Sequence, residues 1–280
     1  MKINRISAFS HKNIGGNPAG VVICDDLPAD ETMLNIAKDV GYSETAFLTK
    51  LNDGWKIRYF APEVEIPFCG HATIASTAVL GEHFGPGDYK LHLKDEQLKV
   101  SVHQSSEGNY VATLNSPQTY TEEAPREYID KVLKTFNIDK DQLNPLFPVL
   151  FAYAGAKHLI LVLKDRTALQ NMSYEFETLK KQLQEQAVTT VSLLWQESQA
   201  LFHARNPFPT GGIYEDAATG AAAAAFAGYL RDIEYAKESS FKIIQGEDMG
   251  LTSHLYVEYG SEIGSSVKVS GQTRRISQEG

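Results

Sequence analysis

Two stretches of this chain combine a helical pattern with almost no charge. Residues 70–80 read Gly-His-Ala-Thr-Ile-Ala-Ser-Thr-Ala-Val-Leu, and residues 219–230 read Thr-Gly-Ala-Ala-Ala-Ala-Ala-Phe-Ala-Gly-Tyr-Leu. Apart from His71, neither carries a titratable charge until its last turn. A helix that is apolar all round is a buried helix, and a surface of small side chains lets strands approach closely on every side. Two such helices, one in each half of 280 residues, predict an α/β (α+β) architecture of two similar domains. Each domain wraps a sheet around its own central helix.

The rest of the pattern supplies the strands. In the first half, strands are expected over 2–9, 21–24, 45–49, 55–60, 89–93, 98–103 and 110–114, with helices over 28–40 and 72–83. Residues 10–20, with three glycines and Asn17-Pro18, read as a loop. Residues 115–125 are mostly polar, hold two prolines and the Glu122-Glu123 pair, and mark a domain boundary. The expected domains are 1–116 and 117–261, and a last strand within about 262–280 can return to the first. The second half reads as helix 126–136, strand 158–163, helix 174–186, strands 188–194 and 200–204, and a loop over 205–212. Helix 221–230 and strands 241–244, 251–258 and 266–269 follow. The tail 271–280 is polar and reads as lacking a closing apolar strand.

The first turn of a buried helix has unsatisfied N–H groups and a positive dipole end. It is therefore an anion site in waiting, and a glycine at its entry lets a ligand reach the backbone. Two such starts facing one interdomain cleft would suit a carboxylate or phosphate; the alternative is a pair of glycine-capped core helices that bind nothing. Three polar residues near them carry the same choice. His71 is a functional or a satisfied buried histidine. Asp216 is a functional carboxylate or a helix cap. Glu44, in Gly41-Tyr42-Ser43-Glu44-Thr45-Ala46-Phe47, is a desolvated general base or a solvated turn residue.

Composition narrows the function classes. A formal charge of −9, from 26 basic and 35 acidic residues without a basic run, speaks against a nucleic-acid partner. No stretch approaches the roughly 18 apolar residues of a membrane span, and Met1 to Ile6 lacks the apolar core of a signal peptide. A soluble, cytoplasmic protein with no membrane partner is expected. The two cysteines, Cys24 and Cys69, are too few for a disulfide framework or a four-cysteine metal site and fit a reducing compartment. No H-E-x-x-H or close Cys/His cluster appears beyond Cys69 and His71, so no metal is expected. There is no G-x-S-x-G elbow or Walker loop. Gly15-Gly16-Asn17-Pro18-Ala19-Gly20 is no dinucleotide fingerprint, because Pro18 interrupts it and a strand follows.

Six segments, in order, carry a resemblance. They are Gly16-Asn17-Pro18-Ala19-Gly20-Val21, Ser43-Glu44-Thr45-Ala46-Phe47, Arg58-Tyr59-Phe60 with Pro62 and Glu65, Cys69-Gly70-His71-Ala72-Thr73, Glu215-Asp216-Ala217-Ala218-Thr219-Gly220, and Gln245-Gly246 with Met249-Gly250. Together they resemble the phenazine-biosynthesis PhzF-like family of the diaminopimelate epimerase-like superfamily. The resemblance implies two domains, each a strongly curved, barrel-like sheet around a central helix, with the active site between them. It implies an isomerase of trans-2,3-dihydro-3-hydroxyanthranilate that uses no metal or organic cofactor. In that reaction a glutamate moves a proton from one ring carbon to another and a ketone results. Glu44 matches the glutamate, and His71 and Asp216 match its supporting residues. Ser43, Gly70, Thr219, Gly220 and Ala221 match substrate-binding positions, with backbone amides at Gly70–His71 and Gly220–Ala221 holding the carboxylate. The implied partners are a small cyclic carboxylate and a second copy of the chain in a homodimer. Two positions depart from the pattern: Ala221 stands in place of a serine, and Leu251 follows Met249-Gly250 where many relatives carry arginine.

Two other functions compete with this one. The superfamily's racemases and epimerases oppose two thiols; Cys69 occupies the first position, and the second falls on Ala217, which carries no proton. Cys69 and Cys24 then read as small buried residues. A non-catalytic binder of small carboxylates would keep the cleft. Glu44, His71 and Asp216 together argue against it, since binding an anion needs no carboxylate base beside it.

Overall fold

The computed structural model describes residues 1–94, 96–235 and 239–277. Around the helix Gly70–Phe84 runs a closed ring of eight strands. In ring order they are Asn4–Ser10, Asn17–Cys24, Thr45–Leu51, Gly54–Phe60, Gly87–His92, Gln97–Gln104, Tyr110–Asn115 and Lys268–Arg275, the last pairing back to the first. Two pairs of neighbours in the ring are parallel, and parallel strands need a crossover. The crossover before Thr45–Leu51 is the helix Asp30–Val40; the one before Gly87–His92 is the core helix itself.

Side-chain alternation along each strand sorts the two faces. Val21, Ala46 and Leu48 point to the core helix, where they meet Ala72, Ile74 and Val79. Val22 and Phe47 point outward and pack on Met33 and Ala37 of the first crossover helix. The ring can close this tightly because the core helix presents mostly small residues, glycine, alanine, threonine and serine, and is buried from Gly70 to Gly81.

The second lobe repeats the device with an open, curved sheet. Its strands are Tyr120–Glu123, Leu150–Tyr153, Lys157–Leu163, Thr190–Ser198, Leu201–Pro207, Ser239–Gln245 and Ser253–Tyr259. The helix Gly220–Asp232 lies against its inner face, buried from Gly220 to Arg231. Helices Arg126–Thr135 and Phe176–Glu185 cover the outer face, where Val132, Leu179 and Leu183 meet Leu159, Leu161 and Leu193. The strand Lys268–Arg275 joins the lobes, pairing with Ser253–Tyr259 as well as with two strands of the ring. Among the described residues no helix is long and apolar enough to cross a membrane.

Several segments differ from the sequence reading. The loop expected over 10–20 is shorter, because Asn17–Ala19 already pair with the first strand. On the other side pairing starts only at Gly20, so that edge asks no ladder bond of Pro18. The polar break 115–125 contains the strand Tyr120–Glu123, whose pattern is too short and exposed to be read. Leu150–Tyr153 and the one-turn helix Arg166–Gln170 were not expected, and Leu201–Pro207 runs three residues past the expected end. The polar tail does form a closing strand, through Arg275; residues 278–280 lie outside the described residues. Its backbone is bonded on both edges, and only Val269, Gly271 and Thr273 face inward, so it needs no continuous apolar run.

Gly271 is the tight point of that closure. Phe9 sits in a bulge of the first strand at φ 61°, and a Cβ at Gly271 would lie 2.4 Å from its ring. Gly271→Val should therefore force the ring aside and destabilise the fold by about 1–3 kcal/mol. Urea unfolding will check this, an unchanged midpoint being the contrary result.

Candidate active site

The two core helices meet start to start. A Cβ at Gly70 would lie 3.1 Å from Gly220 Cα and 3.2 Å from the Ala221 backbone nitrogen. Only glycines allow backbones this close. The consequence is electrostatic: two positive helix ends and their unbonded N–H groups crowd one spot between the lobes.

Each start is delivered by the same local construction. In the first lobe, Arg58 grips Glu65 with Nε and Nη2 at 2.7 and 2.6 Å. Glu65 opens the two-residue strand Glu65–Ile66, five residues before Gly70. In the second lobe, Arg205 grips Glu215 in the same two-pronged way, and Glu215 opens the two-residue strand Glu215–Asp216, five residues before Gly220. The copies differ in burial. Arg58 and Glu65 face solvent at 22% and 40% side-chain exposure, whereas Arg205 and Glu215 are at 10% and 3%. Counted from these strands, the residue that mirrors Cys69 is Thr219, since each is the residue preceding its helix. The expected register, which put Ala217 opposite Cys69, is corrected to Thr219. A hydroxyl, not a thiol, stands there.

The polar residues singled out in the sequence converge on this spot. Glu44 follows the helix Asp30–Val40 and its left-handed Gly41 cap, directly ahead of the strand Thr45–Leu51. It is buried, not a solvated turn residue. Its Oε2 lies 3.3 Å from His71 Nε2, and by hydrogen-bond geometry it has no partner. Ser43 Oγ is 3.4 Å from the same nitrogen. The other ring nitrogen, Nδ1, is 3.4 Å from Cys69 Sγ. Burial, with the Glu44 charge second, pushes the Cys69 thiol well up, so it enters this chain of contacts as S–H.

Asp216 is likewise buried. Asn17 Nδ2 donates to its Oδ1 at 2.6 Å and Thr219 Oγ1 to its Oδ2 at 2.6 Å. Gln245 stitches the helix start. Its Oε1 accepts from the Thr219 N–H at 3.1 Å, and its Nε2 donates to the Asp216 carbonyl at 2.8 Å. Burial raises the Asp216 pKa, with the nearby Glu44 charge adding to it; His71, Thr219 and Asn17 oppose the rise. Asn17 and Gln245 stood only in matched segments of the sequence; their roles needed the third dimension.

These groups enclose an inner pocket of about 50 Å³, walled by Glu44, His71, Asp216, Thr219, the two glycines and Ala221, with His158 and Phe208 behind. It holds a few water-sized groups, at about 10–15 Å³ each. A larger cleft of about 740 Å³ adjoins it, sharing Glu44, Ile66, Phe68 and Phe208 and adding Ser43, Tyr42 and Lys180. Glu44, Cys69 and His71 hold ligand-type atoms within 4.8 Å of one another. The thiol approaches Nδ1 and the carboxylate Nε2, so the ring stands between them.

Comparison with known proteins agrees with the geometry. The family model described as phenazine biosynthesis-like protein, PhzC-PhzF, matches residues 6–278. A Bacillus subtilis (strain 168) protein named uncharacterized isomerase YfhB is 29% identical over 279 residues, covering 96% of this chain and 94% of that one. The trans-2,3-dihydro-3-hydroxyanthranilate isomerase of Pseudomonas fluorescens is 27% identical over 274 residues, covering 95% and 94%. Among solved structures, the PhzF-family phenazine biosynthesis protein of Bacillus anthracis superimposes with a TM-score of 0.86 at 20% identity, covering 99% and 98%. A hydroxyproline epimerase from Agrobacterium vitis superimposes with a TM-score of 0.68 at 11% identity, covering 98% and 90%. These two show a shared fold.

The raised Asp216 has a pH signature. An acid whose folded-state pKa is raised keeps its proton in the fold after the unfolded chain has lost it, so stability falls as pH rises above the ordinary value of 3.8. Urea unfolding at stepped pH should show wild type losing stability relative to Asp216→Asn as pH rises through that window. A difference that stays flat or grows would mean that the hydrogen bonds from Asn17 and Thr219 outweigh burial.

Proposed function

Because the chain belongs to the phenazine biosynthesis-like (PhzC-PhzF) family and is an isomerase, we propose that it moves a proton between carbons of a small cyclic carboxylic acid, with Glu44 as the general acid and base and no cofactor. The substrate class is that of the trans-2,3-dihydro-3-hydroxyanthranilate isomerase from Pseudomonas fluorescens. One observation carries the reading: Glu44 is buried in the wall of the inner pocket, and its Oε2, 3.3 Å from the His71 ring, accepts no hydrogen bond. An oxygen already accepting hydrogen bonds takes a proton from carbon poorly; this one accepts none.

The other parts follow from what that step needs. The substrate's carboxylate sits against the Gly70–His71 and Gly220–Ala221 amides, where two helix ends favour negative charge. This fixes the ring so that the carbon losing its proton faces Glu44. The pocket's size admits the reacting end of the acid, and the remainder extends into the adjoining cleft. Glu44 accepts the proton and returns it to a second carbon on the same face, and burial keeps it from exchanging with water. His71, held between Cys69 and Ser43, fixes the carboxylate's position. Asp216, with Asn17 and Gln245, keeps the second helix start in place. Thr219 opposite Cys69 leaves no second thiol for a two-base racemase.

The test is turnover of trans-2,3-dihydro-3-hydroxyanthranilate followed by absorbance and by NMR in heavy water. Wild type should convert it, and Glu44→Gln should be slower by about 10²–10⁴-fold while still gaining thermal stability from the compound. Equal rates in the two proteins would remove Glu44 from the chemistry. Stabilisation without turnover in wild type would leave the carboxylate pocket and redirect the search to other cyclic acids.

A further inference from the structure

The two lobes place different side chains at equivalent positions around the inner pocket. Arg58 lies opposite Phe47 and Arg205 opposite Leu193, so Thr190 stands where the first lobe has Glu44. Its neighbour on the parallel strand, His158, stands where the first lobe has Ala19, the residue before the Gly20–Thr45 pair. The first lobe has a methyl group there, buried in its core. The second lobe carries an imidazole. His158 is fully buried and lines the pocket. Its Nδ1 is 2.8 Å from Thr190 Oγ1, and its Nε2 has no partner.

Buried polar atoms are nearly always hydrogen-bonded. Among the described residues lining the inner pocket, two buried side-chain atoms break that rule: Glu44 Oε2 and His158 Nε2. The first is the proposed base. The second is a fixed hydrogen-bonding atom with an unspent bond, in a wall where Ala221 offers a methyl group. Burial holds the His158 pKa down to about 3, so the ring is neutral at ordinary pH and does not compete with Glu44 for the migrating proton. The Thr190 hydroxyl can donate to Nδ1 or accept from it. In the first case Nε2 presents an N–H to an oxygen; in the second it presents a lone pair to an O–H or N–H.

We propose that His158 contacts the substrate and sets its specificity, its Nε2 forming a hydrogen bond with a polar ring substituent of the acid whose carboxylate lies at the helix starts. This rests on reading the pocket as a carboxylate site. A ring acid bearing a hydroxyl, amine or carbonyl is then preferred over the bare acid. The preference comes from the second lobe, while Glu44 of the first does the chemistry.

The probes are benzoate, 2-aminobenzoate and 3-hydroxybenzoate, titrated calorimetrically into wild type, His158→Gln and His158→Leu, with ¹⁵N-histidine NMR of wild type. At least one substituted acid should bind wild type about tenfold more tightly than benzoate, the scale of one hydrogen bond, and should shift the His158 Nε2 resonance. His158→Leu should abolish that advantage and leave benzoate unchanged, and His158→Gln should keep part of it. If all three acids bind alike and none moves the His158 resonance, the proposal is overturned and the carboxylate pocket stands. If none binds folded wild type, the carboxylate reading fails and the proposal falls with it. The NMR arm stands whether or not the variants fold.

Discussion

Everything in this molecule is arranged around the contact of two helix starts at Gly70 and Gly220. Aligned head to head, two positive dipole ends repel, and in a dry interior the repulsion is poorly screened. The fold answers by bringing carboxylates to the same spot: Glu44 and Asp216 are both buried within its walls. Burial, with the Glu44 charge adding to it, raises the Asp216 pKa, so the compensation is incomplete within the protein. The proposed substrate carboxylate at the amides would complete it. Binding and folding stability are here the same electrostatic problem, which accounts for a carboxylate buried with an unsatisfied oxygen.

The helix starts are held by paired arginine–glutamate grips, and the pairs are not equal. The Arg205–Glu215 grip is buried, so removing either partner would strand a charge. The Arg58–Glu65 grip, which also involves Asp30, faces solvent, where water screens it. The second lobe therefore supplies a fixed floor and the first a softer rim, residues 61–68, where Val64 stands exposed at the mouth of the cleft.

How much of this could be read beforehand depended on whether the signal was local. The core helices were legible because burial on all sides leaves a composition no exposed helix tolerates. Strands facing a core on one side and a covering helix on the other, such as Lys157–Leu163, were legible as apolar runs. Tyr120–Glu123 was not, since its edge pairing with Leu150–Tyr153 shows no pattern in four polar residues. The closing strand was missed because its stability lies in backbone bonds to Asn4–Ser10 and Tyr110–Asn115, far away in sequence. At the site, Glu44, His71 and Asp216 were found as candidates, but their burial and distances were not. His158 sits near the start of an apolar strand and nothing local singles it out. Only the register shows that it stands beside Thr190, the second lobe's counterpart of Glu44.

The strand Lys268–Arg275 has a consequence for how such a chain is made. The first lobe begins at Asn4, yet its ring stays one strand short until Lys268–Arg275 arrives. During synthesis its helix, sheet edges and Phe9 pocket wait, open, while the whole second lobe emerges. Closure then joins residues some 260 apart, as in Ser10 with Gln272, a non-local step of the kind that slows folding. An isomerase built this way has no functional nascent half: the ring around the helix that carries His71 closes only after the whole second lobe and Lys268–Arg275 have been made.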